Sequence, residues 1–252
     1  MIIETITSIE KAIIILRAIG KSEDGLRIRD IVKKTNIHPT TIVRILKILE
    51  KHNFVEKNLV SFSYKTYSLG NNLIQLTNSA IKRNNLSNIV YPFMVELAEK
   101  YKETIALFVM NGLKRVCINK VDGYYPIRWH IEIGNTIPLG VSSSGKLLLA
   151  FAPEHLLEEV IKKKITLTDG RVVNYDKLKK DLEKIRMQGY SFSIAESTPE
   201  VIGISVPIRN NQEKVVAAMT FLIPITRNRT KYIEELKDAI MVSAKRISGH
   251  IS

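Results

Sequence analysis

Two hydroxyl side chains, followed one helical turn later by an arginine, suggest a surface that binds DNA. Residues 40–49 carry apolar side chains at helical spacing, so one face of this predicted helix is buried and the other presents Thr40, Thr41 and Arg44 to solvent. Hydroxyls and the free N–H groups of a helix start bind phosphate, and an arginine can donate two hydrogen bonds to a guanine edge. An ordinary solvated surface helix has the same periodicity. The predicted DNA contacts on this helix are Pro39, Thr40, Thr41, Val43, Arg44 and Lys47.

The segments on either side of this helix favour DNA binding over an ordinary surface helix. A short second helix is predicted before Asn36, a residue that tolerates the left-handed conformation in which many helices end. Two short strands within residues 54–69 predict a hairpin, the wing of a winged helix. Lys57 and Lys65 on this wing either approach the DNA backbone or belong to plain hairpin surface. The order of elements predicts a winged helix-turn-helix DNA-binding domain over residues 1–70.

A first helix is predicted to support the other two. Thr7 and Glu10 have the spacing of a capping box, which places the helix start between them. The predicted inward face consists of Ile9, Ala12, Ile13 and Leu16. Ile14 and Ile15 add apolar surface that this face does not need, so they are either further core or a contact with a second chain. We predict the second, in a two-fold dimer that reads two DNA half-sites.

The remaining two thirds of the chain predict a second domain. Residues 71–88 are helical in pattern and predict a linker helix, and strands alternate with helices over residues 89–252. Asn111-Gly112 predicts a hairpin turn with two positive φ angles, and residues 127–133 predict a further strand. The predicted fold class is α+β: an N-terminal winged helix-turn-helix domain, a helical linker, and a C-terminal α/β sensor domain with a largely antiparallel sheet flanked by helices.

Composition narrows the class of protein. The 252 residues carry a formal net charge of +13, which favours a polyanionic partner such as double-stranded DNA. Cys117 is the only cysteine and the five histidines are scattered, so we predict no disulfide, no metal and no cofactor. The Ile-rich segment near the start is too short and too charged to span a bilayer or to act as a signal peptide. We therefore predict a cytoplasmic protein without a membrane partner.

One segment of the rear domain resembles a phosphate-binding loop. Gly140 to Lys146 fits the first seven positions of G-x-x-x-x-G-K, but Leu147 replaces the hydroxyl that would hold Mg²⁺. Ser143, Ser144 and Gly145 lead into a predicted helix, whose start can bind an anion through free N–H groups. The serines could instead merely cap that helix. No nucleophile elbow, carboxylate pair or metal-ligand spacing supports an enzyme.

The order of elements resembles the isocitrate lyase regulator (IclR) family of transcription factors. The front match consists of SIEKAIIILRAI, LRIRDIVKKTNIHPTTIVRILKILEKHNFV and YSLGNNLIQL. The rear match consists of GNTIPLGVSSSGKLLLAFAP and IRMQGYSFSIAESTPEVIGISVPIRN. Pro39 departs from the family, which usually has a charged or polar residue there.

The resemblance implies that the rear segments wall a pocket for a small effector, often a carboxylate or an aromatic acid. Family positions that supply polar contacts correspond to Ser193 and Thr220, and two positions that are often Cys or Ser in relatives are Gly203 and Leu222 here. Val141 and Trp129 are further candidates, with plain core packing and an interface anchor as their respective alternatives. The predicted effector residues are Ile137, Leu139, Ser143, Ser144, Gly145, Ser193, Gly203, Thr220 and Leu222.

These observations predict a homodimeric or tetrameric (dimer of dimers) transcriptional regulator that binds double-stranded DNA and a small-molecule effector. One alternative is a DNA-binding regulator whose rear domain only oligomerises. The other is a nucleotide-dependent enzyme that uses Gly140–Lys146.

Overall fold

The chain folds into two compact units. The computed structural model describes residues 7–22, 24–61, 64–76, 85–163, 165 and 172–251, and the units divide between Asn84 and Asn85. Each unit has its own hydrophobic core. Of the linker helix predicted over residues 71–88, residues 72–76 are helical, residues 77–84 lie outside the described residues, and the last four belong to the first helix of the second unit.

Three helices and a hairpin build the first unit, as predicted. The elements are α1 (Ser8–Ile19), α2 (Ile28–Thr35), α3 (Pro39–Lys51), β1 (Val55–Ser61) and β2 (Tyr64–Leu69). Asn36 ends α2 with φ of 54°, in the left-handed region predicted for it. The antiparallel β1–β2 hairpin is the predicted wing. Its β2 strand is held to the loop before α2 by two backbone hydrogen bonds between Leu26 and Tyr67.

The capping box of α1 is confirmed, and so are Ala12 and Leu16 of the predicted inward face, which pack against the core of the first unit. The prediction is wrong for Ile9 and Ile13. The Thr7 N–H donates to Glu10 Oε2 at 2.6 Å, and the Glu10 N–H donates to Thr7 Oγ1 at 3.2 Å. Ile15 is fully buried in the core of the first unit, whereas Ile9 and Ile13 are 74% and 44% exposed. The tertiary packing therefore rotates the helix away from the orientation predicted from the pattern. Ile15 is a core residue with no surface left for a second chain.

The second unit is a six-stranded sheet with helices on both faces. In chain order its elements are α4 (Asn85–Tyr101), β3 (Thr104–Asn111), β4 (Lys114–Val121), β5 (Thr136–Pro138), α5 (Ser142–Ala150), α6 (Glu154–Lys162), α7 (Tyr175–Gln188), β6 (Ser191–Ile194), β7 (Val201–Arg209), β8 (Val215–Pro224), a 3-10 turn (Ile225–Arg227) and α8 (Thr230–Ser248). The strand order is β5-β4-β3-β8-β7-β6, and every neighbouring pair is antiparallel. This confirms the predicted sheet.

Alternation along the central strands supplies a separate core on each face of the sheet. On β3, Ile105 and Leu107 pack with α4 and α8, whereas Ala106 and Phe108 face the side that carries α5 and α7. The central strands β7 and β8 are covered on both faces, which explains their almost continuous apolar sequences. The side with α5 and α7 carries the buried polar residues considered below.

Two local predictions in the second unit are wrong. Residues 127–133 do not form a strand; the third strand of that region is the short β5, which pairs with Lys114 to Val116. The hairpin between β3 and β4 turns at Gly112-Leu113 instead of Asn111-Gly112, since Asn111 pairs with Lys114. Only Gly112 has a positive φ there. The pairing register, which is a tertiary property, moves the turn by one residue.

Candidate DNA interface and effector cavity

The recognition helix α3 separates an inward apolar face from an outward polar face. Ile42, Ile45 and Leu46 are buried in the core of the first unit. The outward face presents exposed Pro39, Thr40, Val43, Arg44 and Lys47, with Thr41 partly buried beside them. Pro39 occupies the first helical turn, where the missing N–H costs no hydrogen bond. The arrangement can place a guanidinium and an ammonium group in a DNA groove.

The start of α3 contains a histidine that the sequence analysis did not use. His38 Nδ1 lies 2.9 Å from Thr40 Oγ1, so the imidazole and the hydroxyl form a hydrogen bond on the exposed surface. Thr41 and Ile42 donate their N–H groups to the His38 carbonyl, as expected for the residue that precedes a helix. His38 therefore orients the Thr40 hydroxyl that is predicted to meet the DNA backbone.

The two predicted wing lysines share one face of the hairpin. Lys57 and Leu59 lie two residues apart on β1, and Lys65 pairs with Leu59 across the hairpin. Both lysines are exposed. The structure therefore brings Lys57 and Lys65 together, where they can approach a phosphate backbone.

A cavity of about 310 Å³ opens beside the start of α5 in the second unit, and we call it the serine cavity. Of the predicted effector residues it is lined by Ile137, Ser143, Ser144, Ser193, Gly203 and Leu222. Leu139 lies in the core instead, and Gly145 packs against the Pro138 carbonyl. Thr220 lies behind the cavity wall. Trp129, a further candidate of the sequence analysis, also lines the cavity. The lining residues that the sequence analysis did not assign to it are Arg115, His130, Ile131, Glu132, Asn135, Ser142, Glu196, Ser197, Thr198 and Val201.

A chain of hydroxyl groups runs from the sheet to the start of α5. Thr220 Oγ1 and Ser205 Oγ lie 2.8 Å apart, and Ser205 Oγ donates to Ser143 Oγ at 2.8 Å. Since Ser205 has one proton, Thr220 must donate to Ser205. The Ser143 N–H donates to Ser193 Oγ at 2.9 Å. The Ser143 hydroxyl accepts from Ser205 and keeps its own proton for an acceptor in the cavity.

Gly203 permits this hydroxyl chain to pack against the sheet. A side-chain carbon at Gly203 would lie 2.3 Å from Ser143 Oγ and 3.2 Å from Ser193 Oγ, closer than atoms can pack. A larger residue at this position would have to displace Ser143. Gly203 therefore sets how closely the start of α5 approaches β7.

The loop-like motif Gly140–Lys146 has a structural role in this chain. Lys146 is 5% exposed, and its ammonium group donates to Glu196 Oε1 at 2.5 Å and to Asp181 Oδ2 at 3.2 Å. The Gly145 N–H points to Ser142 Oγ at 3.5 Å. Both the lysine and this helix-start N–H therefore have partners within the protein. The motif therefore does not offer the free lysine that binds the phosphates of a nucleoside triphosphate.

Arg115 on β4 is a buried cation of the cavity that the sequence analysis missed. It is 5% exposed, its Nε and Nη1 atoms have no hydrogen-bond partner, and its guanidinium lies 4.0 Å from the centre of the Phe108 ring. Burial lowers the pKa of Arg115 to about 10, so the group stays charged at neutral pH. One signal in the sequence marks it: Arg115 lies two residues from Cys117, on the buried face of the strand.

The segment that contains Ile127 and Trp129 is fixed by an ion pair and by hydrogen bonds to its carbonyl groups. Arg227 donates to both carboxylate oxygens of Glu103, at 2.5 and 2.6 Å, and Glu103 is completely buried. The same arginine donates to the Ile127 carbonyl, and Thr104 Oγ1 donates to the Trp129 carbonyl at 2.6 Å. These bonds fix the segment that contributes Trp129 to the cavity.

The other groups considered for chemistry are the Cys117 thiol and possible metal-binding clusters. Cys117 is buried, and this burial raises the pKa of its thiol to about 11, which leaves it unreactive at neutral pH. Among the described residues, no three His, Cys, Asp or Glu side chains lie close enough to hold a metal ion. No helix in the part of the chain that the structure describes combines the length and the apolar composition needed to cross a bilayer.

Comparisons with known proteins agree with both halves of the chain. Residues 8–59 match the family described as IclR helix-turn-helix domain, and residues 78–249 match Bacterial transcriptional regulator IclR C-terminal. The chain is 25% identical over 229 residues to the HTH-type transcriptional regulator KipR of Bacillus subtilis (strain 168). This match covers 88% of this chain and 90% of KipR.

Solved structures of regulators show the same fold. The IclR of Thermotoga maritima is 28% identical and superposes with a TM-score of 0.73, covering 97% of this chain and 98% of that one. An IclR homolog complexed with 4-hydroxybenzoate, from Microbacterium hydrocarbonoxydans, is 20% identical with a TM-score of 0.83, covering 96% and 98%. This chain is therefore a member of the IclR family of DNA-binding transcriptional regulators, a family of regulators and not of enzymes.

Proposed function

We propose that this regulator is controlled by a small organic effector that binds in the serine cavity. The observation that carries the proposal is the hydroxyl chain from Thr220 through Ser205 to Ser143, in which the Ser143 hydroxyl accepts from Ser205 and donates to no described residue. A polarised chain of buried hydroxyls is costly unless its end is satisfied, and a ligand acceptor would satisfy it. A second depression, of about 390 Å³, also reaches Ser193 and is lined by Lys237. The ammonium group of Lys237 is already paired with Glu234, so it is not free to bind a ligand anion.

The effector class is supported by the lining of the cavity. Ile131, Ile137 and Leu222 supply apolar surface, and the serines supply a few polar groups, the usual composition of a small-molecule site. The IclR homolog from Microbacterium hydrocarbonoxydans, which shares this fold, is complexed with 4-hydroxybenzoate. We propose a small organic acid, with a size limited by the volume of about 310 Å³.

The proposed DNA contacts are the exposed residues of α3 and the two wing lysines. Arg44 lies at a base edge or its flanking phosphate, Thr40 and Thr41 lie on the backbone, and Lys57 and Lys65 contact the adjacent strand. Effector binding shifts the population between a state that fits two DNA half-sites and one that does not. Such a regulator works where chromosomal DNA is, so we propose a cytoplasmic location.

The assembly that reads two half-sites is proposed to be a dimer formed through α1, or a pair of such dimers. Exposed Ile9 and Ile13 and the partly buried Ile14 provide the apolar surface. A symmetric contact through one helix would place two recognition helices on one duplex, provided their spacing matches a helical turn.

DNA binding is tested with the full chain and a duplex selected from a random pool for tight binding. We expect Arg44→Ala to weaken binding by about 1–3 kcal/mol, the usual value for an arginine at a base edge. Arg229→Ala, at an exposed arginine of the second unit, removes the same charge away from both α3 and the proposed dimer contact and is the matched control. Fluorescence anisotropy measures both. Equal affinity of Arg44→Ala and wild type would contradict the assignment of α3.

Effector control is tested by adding small carboxylic acids to the protein–DNA complex and recording the change in anisotropy. Ser144→Trp should abolish the response because the indole fills the cavity. A response that persists in Ser144→Trp would place the effector elsewhere. If DNA binding is intact and no compound changes it, the alternative in which the second unit only oligomerises is favoured.

A further inference from the structure

We propose that Arg115 binds the carboxylate of the effector, and that the effector is a monocarboxylic acid with an apolar body. The inference rests on the proposed effector function of the serine cavity. It assigns the charged end of the ligand to β4, whereas the sequence analysis placed that end at the start of α5. The structure provides four reasons.

First, Arg115 is a buried cation without an anion. It lines the serine cavity, it is 5% exposed, and Nε and Nη1 have no partner. Charged side chains are almost never this deeply buried unless they are paired, because an unpaired buried charge loses its hydration. A ligand carboxylate that enters the cavity supplies the missing acceptor.

Second, the carboxylates that line the cavity are not available to Arg115. Glu196 is bound to the Lys146 ammonium group at 2.5 Å, and Asp181 completes that ion pair from α7. Glu132 is exposed to solvent. Within the described ranges, no ion pair involves Arg115. The cavity thus holds one buried positive charge without a partner, which favours a ligand with one negative charge over a dicarboxylate.

Third, Arg115 is held in position to bind a carboxylate. Its guanidinium lies 4.0 Å from the centre of the Phe108 ring, a contact that orients the planar group. A guanidinium offers several N–H donors in one plane and suits the planar carboxylate. Its pKa of about 10 keeps it charged throughout the neutral range.

Fourth, two of the N–H groups at the start of α5 already have partners within the protein. The Ser143 N–H is bound to Ser193 Oγ, and the Gly145 N–H faces Ser142 Oγ. The hydroxyl donors left there are that of Ser143 and one of the Ser142–Ser144 pair, and a hydroxyl suits a neutral acceptor such as a hydroxyl or a carbonyl. In the strand order, Arg115 lies on β4 next to the edge strand β5, whereas Ser193 lies on β6 at the opposite edge. The ligand therefore has a charged end and a neutral end.

The test uses the full-length protein and paired probes that differ only in charge. The acids are benzoate, 4-hydroxybenzoate and hexanoate, and the neutral partners are benzamide, 4-hydroxybenzamide and hexanamide. Binding is measured by isothermal titration and by thermal shift for wild type, Arg115→Met and Arg115→Lys. Lys114→Met is the matched control, since Lys114 is the exposed neighbour on the same strand and carries the same charge.

We expect at least one acid to bind wild type and its amide to bind about 10- to 100-fold more weakly, as for the loss of a charge-assisted hydrogen bond. Arg115→Met should weaken the acid by a similar factor and leave the amide unchanged. Arg115→Lys should restore part of the affinity, and Lys114→Met should bind like wild type.

Several outcomes would overturn the proposal. If Arg115→Met binds the acids as tightly as wild type while Ser144→Trp does not, the effector site stands but Arg115 is not its anion-binding residue. If amides bind as well as acids, the charge assignment is wrong. If no acid in the panel binds wild type, the monocarboxylate class is wrong, and the effect of other compounds on DNA binding then decides whether the proposed effector function survives.

Discussion

Replacing Arg115 with methionine should stabilise the ligand-free protein. Methionine keeps an unbranched side chain of similar reach over the Phe108 ring and removes a charge that has no partner. Removing a charged group from a cavity wall usually leaves stability unchanged or lower. The opposite expectation here follows from the missing anion, because a site kept ready for a charged ligand is destabilised until the ligand arrives.

The size of the stabilisation expected for Arg115→Met follows from the pKa of the buried guanidinium group. Burial lowers the pKa of Arg115 from its ordinary value to about 10. A difference of about 2.5 pKa units corresponds to roughly 3 kcal/mol of destabilisation of the charged form. The lost cation–π contact offsets about 0.5–2 kcal/mol of the gain. We therefore expect Arg115→Met to raise the free energy of unfolding of the second unit by about 1–2.5 kcal/mol.

The pKa of Arg115 also determines how its contribution to the free energy of unfolding depends on pH. The folded-state pKa is the lower one, so the protonated arginine disfavours folding at every pH below about 10, and this cost is relieved only as pH rises through that value. Arg115 is fully charged in both states at pH 6 and at pH 8. The stability gain of Arg115→Met should therefore be the same at these two pH values.

The assay is urea unfolding followed by tryptophan fluorescence. Trp129 is the only tryptophan in the sequence and lies in the second unit at the cavity wall, so the signal reports that unit. The urea midpoint should rise by about 0.5–1.3 M for a slope near 2 kcal/mol/M. The exposed Lys114→Met should change stability by less than about 0.5 kcal/mol. A lower midpoint for Arg115→Met would refute the view that this charge is unpaired.

Two further predictions concern the cavity wall and the assembly. Glu103→Ala should lower the free energy of unfolding of the second unit by about 3 kcal/mol, because it leaves Arg227 without its buried partner; urea unfolding measures this. The double variant with Ile9→Glu and Ile13→Glu should sediment as a smaller species than wild type, because charges on the exposed apolar face of α1 prevent a second chain from packing there.

Each of these two predictions has a matched control. Arg246→Ala breaks the exposed ion pair with Glu96 and should cost less than about 1 kcal/mol. Met187→Glu adds a charge at an exposed apolar residue of α7 and should sediment like wild type. If Glu103→Ala is no more destabilising than Arg246→Ala, the ion pair does not hold the wall. If the α1 variant sediments like wild type, the dimer does not use this helix.

The local patterns that sequence analysis can interpret are those that depend on neighbouring residues. The capping box of α1, the left-handed Asn36 and the buried face of α3 require only residues within one or two turns, and the structure confirms all three. The strand segments interleaved with helices likewise predicted a largely antiparallel sheet, which the structure confirms. Family resemblance added the location of the cavity.

The errors arose where partners distant in sequence decide the outcome. Which side of α1 faces the core depends on α2, α3 and β2 together, so an Ile-rich helix offers several equivalent stripes and the packing selects Ile15 and Ile19. The segment 127–133 is held by Thr104 and Arg227, through hydrogen bonds to carbonyl groups that a strand would have used in pairing. Neither partner can be identified from the segment itself.

The sequence by itself determined the two units, the recognition helix and the presence of serines at the start of α5, because these follow from local periodicity and spacing. Only the tertiary structure decided what those serines do. It brings Ser143, Ser193 and Ser205, residues up to 62 positions apart, into hydrogen-bonded contact. It also pairs Lys146 with Asp181 of α7 and with Glu196 of the loop after β6. It also leaves Arg115 without a partner, since whether a charge is paired depends on every element that surrounds it.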